Sequence, residues 1–350
     1  MLIRCETDPS IERVEINGFK FPLGVYPVED IEPKAGYRVE FEPADGPGDP
    51  QFGDEIVEPW PDRYVFDIVI SADRVDALYR QLLPLLPGRV YPILDFIGHD
   101  AYREVDPYLS RVPLGLEWLI DGVRACRPFF FEDGMVGFGA LCDDPFCHIF
   151  VDEHKIITLR CEPDLKPRFE KILKAFDLSE TAEPAGADAA AHEHRNVLWT
   201  PEDRPDLLSA EEIVEDLRDA WQLDLNIDIT RNLDDAGRDL GLTPWRCLVR
   251  LEGGEMTRYA EVLLVADCLM HAEELSLDAT VGLLAAEPPA PAPEGEEAGE
   301  PRPGEPLVIA ADRMTRTQFE EIVADSESGQ SGKARKIPDH AGVVSGKWVV

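Results

Sequence analysis

The sequence predicts an α+β protein with two mixed domains. Three observations carry this prediction: short β-branched stretches alternate with amphipathic helical patterns, tight turns connect several of the stretches, and two segments without apolar periodicity interrupt the chain. At 350 residues, the chain is too long for one ordinary domain and suits two.

The two interruptions set the predicted boundaries. Residues 179–198 are small and polar, which is typical of a linker, and residues 285–306 are almost wholly Pro, Ala, Glu and Gly. Because such a composition buries too little apolar surface to offset its ordering entropy, we expect 285–306 to be disordered. The resulting plan has an N-terminal α+β domain (1–178), a middle acidic α+β domain (199–284), a strand and helix that dock on the middle domain (307–325), and a flexible tail (326–350).

The N-terminal region opens with a strand, a helix and a strand. Residues 64–70 alternate in polarity and are rich in β-branched side chains, which predicts a strand. Ser71 is a suitable N-cap for a helix whose apolar residues recur at helical spacing from Val75 to Leu83, and Pro84 ends it. Residues 90–97 predict a second strand.

Two helices and a hairpin follow. Pro113 is a favoured first-turn residue and predicts the start of one helix, and Pro163 predicts the start of another. Between them, residues 148–151 and 156–159 predict a β-hairpin across a four-residue loop, 152–155.

The middle region begins with a capping box formed by Ser209 and Glu212, which predicts a helix N-terminus. Strands are predicted at 223–229, 245–251 and 259–265, followed after the Pro-rich segment by a strand at 307–311. A last helix is predicted to start at Thr315.

The charge balance excludes several classes of protein. Asp and Glu number 70 against 34 Lys and Arg, a net charge of −36. This balance argues against a protein that binds nucleic acid or anionic membranes through clustered cations. No stretch of eighteen apolar residues predicts a membrane span, and the N-terminus lacks a signal-peptide pattern. Seven cysteines, an odd number with scattered spacing, favour reduced thiols and a cytoplasmic protein.

Asp95, His99 and Asp100 form the first candidate catalytic cluster. Asp95 lies near the end of the predicted strand 90–97, and His99 and Asp100 follow it, where side chains often project into a crevice. Imidazole with carboxylates can bind a divalent metal. The alternative is a simple turn in which Gly98 and Asp100 cap the backbone.

Cys142, Cys147, His148 and His154 form a candidate zinc site, since two thiols and an imidazole can bind zinc. The alternative is that the cysteines are small buried apolar residues. His192 and His194 fall in the predicted linker, and we expect no role for them. Gly134, which precedes two further glycines, is interpreted as a site of close backbone packing in a hairpin.

The carboxyl terminus, Trp348, Val349 and Val350, is a candidate partner-binding segment, because an apolar end could add to the sheet edge of another protein. The alternative is a last strand that docks on its own domain.

The sequence thus favours a non-enzymatic, cytoplasmic, acidic protein-binding protein of the adaptor, regulatory or immunity type, whose partner would be a basic protein. Two alternatives stand beside it: a metal-dependent hydrolase that uses Asp95, His99 and Asp100, and an acidic mimic of nucleic acid. The sequence predicts no particular cofactor.

Overall fold

The chain divides into two compact units. The computed structural model describes residues 4–44, 60–252, 257–286, 306–327 and 338–349. Unit 1 comprises the chain up to Ile97 together with Asp106–Asn226, and unit 2 comprises Gly98–Val105 together with the chain from Ile227 onward. Both units combine helices with strands, which confirms the predicted α+β class.

Unit 1 is built on antiparallel strands. In chain order they are β1 (Glu15–Ile16), β2 (Phe19–Lys20), β3 (Val25–Pro27), β4 (Gly36–Glu42), β5 (Arg63–Val69), β6 (Arg89–Phe96), β7 (Asp106–Ser110), β8 (Leu114–Gly115), β9 (Val136–Asp143), β10 (Phe146–Val151), β11 (Ile157–Cys161), β12 (His192–His194) and β13 (Leu223–Leu225). The main sheet has the order β13-β7-β6-β9-β10-β11-β5-β4, with β8 pairing with β6. Two small pairs, β1 with β2 and β3 with β12, lie outside this sheet.

Helices cover one face of the main sheet. They are α1 (Ala72–Leu82), α2 (Leu116–Ala125), α3 (Arg127–Glu132), α4 (Lys166–Ala175) and α5 (Ala210–Trp221). Because side chains alternate between the faces of a strand, residues that pair directly across strands share a face. One such row of paired, buried residues crosses seven strands: Tyr108, Leu94, Phe138, Val151, Ile157, Ile68 and Tyr37.

Several local predictions are confirmed. β5, α1 and β6 match the predicted strand, helix and strand, and β10 and β11 form the predicted hairpin with Val151 opposite Ile157. The Ser209–Glu212 capping box is present at the N-terminus of α5. The helix predicted from Pro113 begins instead at Leu116, because Leu114 and Gly115 pair with β6.

In its described residues, unit 2 consists of a four-stranded antiparallel sheet and two helices. Its strands are β14 (Thr243–Leu251), β15 (Arg258–Ala266), β16 (Pro306–Arg313) and β17 (Gly342–Trp348), in the order β16-β14-β15-β17. Its helices are α6 (Leu269–Ala285) and α7 (Arg316–Glu327). The short segment Gly98–Val105 joins this unit through Ala101, whose N–H donates to the Arg313 carbonyl oxygen at 2.9 Å.

The segment predicted as a linker, 179–198, is instead packed into unit 1. Its backbone forms hydrogen bonds with Lys34 and Tyr37, and its residues 192–194 form β12. Val197 is buried, and its N–H donates to the Asp133 carboxylate at 2.8 Å. A segment of small polar residues is therefore ordered here, because backbone hydrogen bonds hold it in place of a periodic apolar face.

Helix α5 also belongs to unit 1 and not to the middle domain in which the sequence placed it. Ile213, Leu217 and Trp221 are buried in the core of unit 1, where the Trp221 ring stacks on Phe130 with centroids 5.9 Å apart. The unit boundary therefore falls at residue 226 rather than at 178, because the apolar face of this helix is buried by the preceding sheet.

The C-terminal predictions have two outcomes. The predicted disordered segment 285–306 lies outside the described residues, apart from its first two residues and Pro306. Within the predicted flexible tail, residues 342–348 form β17, which pairs with β15. The alternation of half-buried and exposed side chains along β17 is that of an edge strand on its own sheet.

Candidate metal centre

The loop between β10 and β11 presents His154. Asp152 closes this loop, since its N–H donates to the Ile156 carbonyl oxygen at 3.0 Å and its carboxylate accepts from the Ile156 N–H at 2.8 Å. Lys155 adopts a left-handed conformation with φ of 65°. Its buried ammonium group donates to the Val136 carbonyl oxygen at 2.6 Å, which anchors the loop beside β9.

β12 supplies two more histidines. His192 and His194 are two residues apart on a strand, so their side chains point to the same face. The strand is held on one side by β3 and on the other by Gly134, whose N–H donates to the Arg195 carbonyl oxygen at 3.2 Å. Gly134 lies so close to Gly24 that a Cβ on either glycine would come within 2.0 Å of the backbone of the other.

The three imidazoles of His154, His192 and His194 converge on one point. Their ring centroids are 4.7, 4.9 and 5.0 Å apart, and the ring planes are steeply inclined to one another. One ligand-capable atom from each ring lies within 4.8 Å of the other two. The Nε2 atoms of His154 and His192 are 2.9 Å apart. We call these three residues the histidine cluster.

The other ring nitrogen of each histidine faces an acceptor. His192 Nδ1 is 2.8 Å from the Ala190 carbonyl oxygen, and His194 Nδ1 is 2.7 Å from the Gly134 carbonyl oxygen. His154 Nδ1 is 3.4 Å from a carboxylate oxygen of Asp152. Because a carbonyl oxygen can only accept, Nδ1 of His192 and His194 carries the proton, and Nε2 of each neutral ring keeps a lone pair.

This arrangement fits a bound metal ion. Histidines that bind a metal through one nitrogen usually donate the other N–H to a carbonyl or carboxylate, which fixes both the tautomer and the ring orientation. Neutral imidazole is a common ligand of zinc, and three protein ligands leave one position of a tetrahedral site for water.

Acidic groups around the histidine cluster create a negative electrostatic potential there. Burial opposes protonation of His154, but the hydrogen bond and charge of Asp152, with the charges of Glu153 and Asp188, together raise its pKa. Burial lowers the pKa of His194 and holds this ring neutral. Asp152, Glu153 and His154 also bring one ligand atom each within 4.8 Å of one another. The negative potential that favours a proton at His154 favours a cation in the same way.

The predicted zinc ligands separate in the structure. Cys142 and Cys147 are buried neighbours across β9 and β10, and the Cys142 thiol donates to the Pro145 carbonyl oxygen at 3.1 Å. His148 points to the opposite face of β10, where its Nδ1 is 3.0 Å from an Arg160 nitrogen. Burial lowers the pKa of His148 to about 3. Only His154 of the predicted set joins the histidine cluster.

The histidine cluster was missed because its partners are distant in sequence. His154 meets His192 and His194, which are 38 and 40 residues further along the chain in the segment predicted as a linker. The sequence feature that could have indicated the cluster is the His-Glu-His spacing around Glu193, because residues i and i+2 of a strand share a face.

The predicted catalytic cluster divides between the two units. Asp95 lies on β6 in unit 1, whereas His99 and Asp100 belong to the Gly98–Val105 segment of unit 2. His99 is exposed. The Asp100 carboxylate is buried, and its two oxygens share the single Nε–H of Arg313, at N···O distances of 2.9 and 3.0 Å. Asp100 therefore forms a buried ion pair with Arg313 that stabilises unit 2.

The charge of Glu153, which acts on the pKa of His154, also acts on the pKa of Asp95. Burial, and then the charge of Glu153, raise its pKa to about 6 from an ordinary 3.8. The folded state thus binds a proton more tightly than the unfolded state does. Protonated Asp95 therefore contributes to the free energy of unfolding in full below pH 3.8, and this contribution is lost as the pH rises through 6. Ionised Asp95 thus destabilises the fold at pH 7.

The variant Asp95→Asn is therefore expected to be more stable than the parent at pH 7.5, by about 1–3 kcal/mol, and to lose this advantage at pH 4. Urea unfolding at the two pH values, with a chelator present, measures the difference. The exposed Asp164→Asn, which removes a carboxylate from the same unit, is the control and should not raise the stability at pH 7.5. Equal effects of Asp95→Asn at both pH values would contradict the prediction.

The candidate partner-binding segment is paired within unit 2. Trp348 is the last residue of β17 and lies opposite Ala260 of β15, and the Arg258 guanidinium is 3.7 Å from its ring centroid. The Val349 N–H donates to the Tyr259 carbonyl oxygen at 2.9 Å. Val350 lies outside the described residues. The described part of this segment therefore occupies the edge of its own sheet.

Comparison of the chain with protein-family models, with curated proteins and with solved structures finds no match. Among the helices that the structure describes, none is long and apolar enough to cross a membrane.

Proposed function

We propose that this protein is a metalloprotein that binds one divalent transition-metal ion, with zinc the best fit, through the histidine cluster. The observation that carries the proposal is the shared orientation of the rings. Nδ1 of each ring faces an acceptor on the protein, which leaves Nε2 as the ligand atom of each ring. A bound ion would replace the 2.9 Å contact between the Nε2 atoms of His154 and His192.

The reaction class that such a centre supports is hydrolysis. A zinc ion with three protein ligands lowers the pKa of a bound water and polarises carbonyl or phosphoryl oxygens. The protein would orient the rings through the Ala190 and Gly134 carbonyl groups and balance the charge of the ion with Asp152 and Glu153. The three histidines are half-buried, which is compatible with access of water to the ion.

His192→Ala tests the proposal. The parent protein should bind one equivalent of Zn²⁺, and the variant should bind it about 100-fold more weakly or worse, since even loss of an outer hydrogen-bond partner commonly costs 10–100-fold. Native mass spectrometry gives the stoichiometry and isothermal titration with Zn²⁺ gives the affinity.

His271→Ala is the matched control, because His271 lies in unit 2 and pairs with Asp267. This variant should bind Zn²⁺ like the parent. A parent protein that takes up no stoichiometric zinc, or an equal loss in both variants, would overturn the proposal. Circular dichroism of each variant verifies that the loss does not come from unfolding.

The expectation of an acidic protein-binding protein with a basic partner stays a prediction. Its support is the net charge of −36, which would steer such a partner at low salt.

A further inference from the structure

A cavity lies in unit 1 among α1, α2 and α3. Its volume is about 340 Å³, which is within the size range of small-molecule sites. Its apolar lining comes from four side chains: Leu83, Ile120, Val123 and Phe131. Its polar lining comes from five: Asp76, Tyr79, Arg80, Arg124 and Arg127.

The polar lining carries an excess of positive charge. Three arginines face one carboxylate, in a chain whose acidic residues outnumber its basic ones by 70 to 34. Asp76 pairs with Arg80 Nε at 2.9 Å and with Arg127 Nε at 2.6 Å, so one carboxylate holds two guanidinium groups at the cavity. Arg124 is exposed and has no hydrogen-bond or ion-pair partner among the described residues.

Tyr79 supplies a second, independent observation. Its side chain is fully buried between Phe131 and Phe138, and its hydroxyl has no hydrogen-bond partner in the structure. A buried hydroxyl without a partner costs about 1–3 kcal/mol, so such groups are rare unless a ligand or water satisfies them. Tyr79 is also one of the residues that line the cavity.

We propose that this cavity binds a small organic anion of the phosphate-ester class. Arg124 and the outer nitrogens of Arg80 and Arg127 would bind the phosphate, because the planar guanidinium group matches its oxygens with paired donors. The Tyr79 hydroxyl would donate to the same ligand, and the organic part would pack on the apolar lining. This site is distinct from the histidine cluster and does not depend on a metal.

Phenyl phosphate and inorganic phosphate are the probes, titrated calorimetrically into the full chain. Phenyl phosphate should bind with a 1:1 stoichiometry and more tightly than inorganic phosphate, since only the ester reaches the apolar lining. Arg124→Gln should weaken its binding about 10-fold, because a charge-assisted hydrogen bond is lost. Tyr79→Phe should weaken it about 3- to 10-fold.

Arg231→Gln is the control, since Arg231 is also exposed and lies in unit 2. It should leave binding unchanged. The titrations are repeated with a chelator and in the His192→Ala variant, where binding should persist. Absence of saturable binding, equal losses in Arg124→Gln and Arg231→Gln, or binding that disappears only in His192→Ala would each overturn the proposal.

Discussion

Replacing Arg313 with methionine is expected to destabilise unit 2 by about 3–5 kcal/mol, the cost of removing the hydrogen-bonded partner of a buried charge. Arg103, whose Nη2 is 3.9 Å from the Asp100 carboxylate, is too distant to replace its hydrogen bonds. The Asp100 side chain is inaccessible to solvent and that of Arg313 is 3% exposed. Their pairing is reinforced by the Arg313 N–H, which donates to the same carboxylate at 3.0 Å. Chemical unfolding monitored by tryptophan fluorescence measures the loss.

The surroundings of Arg313 explain the size of this effect. Its Nη1 donates to the Asn232 side-chain oxygen at 3.1 Å and to the Leu233 carbonyl oxygen at 2.5 Å. One guanidinium group therefore connects the strand that ends at Arg313, the Gly98–Val105 segment and the loop before β14. Methionine fills part of the space but donates to none of these acceptors.

Two variants serve as controls for this prediction. Arg238→Met removes a surface arginine that is 80% exposed and paired with Asp234, and it should cost far less than Arg313→Met, because exposed ion pairs contribute little to stability. The double variant Asp100→Asn/Arg313→Met removes both charges and should recover part of the lost stability. If Arg313→Met cost as little as Arg238→Met, the ion pair would not have the structural role assigned to it.

Gly134→Ala is expected to weaken both the fold of unit 1 and the metal centre. The added Cβ would lie 2.0 Å from the Gly24 carbonyl oxygen and 3.1 Å from a Val25 methyl carbon. Because the nearest contact is backbone, the chain must shift, at a cost of about 2–4 kcal/mol. The shift would move the carbonyl group that orients His194, so Zn²⁺ should bind about 10- to 100-fold more weakly.

Gly88→Ala is the matched control in unit 1, since a Cβ there meets no atom within 4 Å. It should not lower the free energy of unfolding and should leave the affinity for Zn²⁺ unchanged. Thermal unfolding with and without Zn²⁺ separates the two effects of Gly134→Ala. Zinc affinity that remained at the parent value in a folded Gly134→Ala protein would show that the carbonyl group does not position His194.

The sequence was informative where structure depends on neighbouring residues. The capping box at Ser209 and Glu212, the hairpin across 152–155 and the helix after Ser71 rest on local spacing, and all three are present. The location of the unit boundary depends instead on which surface buries Trp221. That surface includes Phe130, ninety-one residues earlier in the chain, and no local pattern specifies this contact.

The candidate site was harder to predict for the same reason. Cys142, Cys147 and His148 are close to His154 in sequence, but strand register turns Cys147 and His148 to opposite faces of β10. Backbone pairing of β12 with β3, and its contact with Gly134, bring the histidines of β12 to His154. Nothing in the composition of residues 179–198 indicates that pairing.

The Asp100–Arg313 pair also has a consequence for biosynthesis. The two residues are 213 positions apart, so at the usual 5–20 residues per second a ribosome needs about 10–40 s after Asp100 to reach its partner. Throughout that interval the Asp100 carboxylate has no Arg313 to pair with. It must therefore stay exposed to water, because burying it unpaired would cost free energy. The Gly98–Val105 segment can therefore reach its native place only after Arg313 has been synthesised and has left the ribosome.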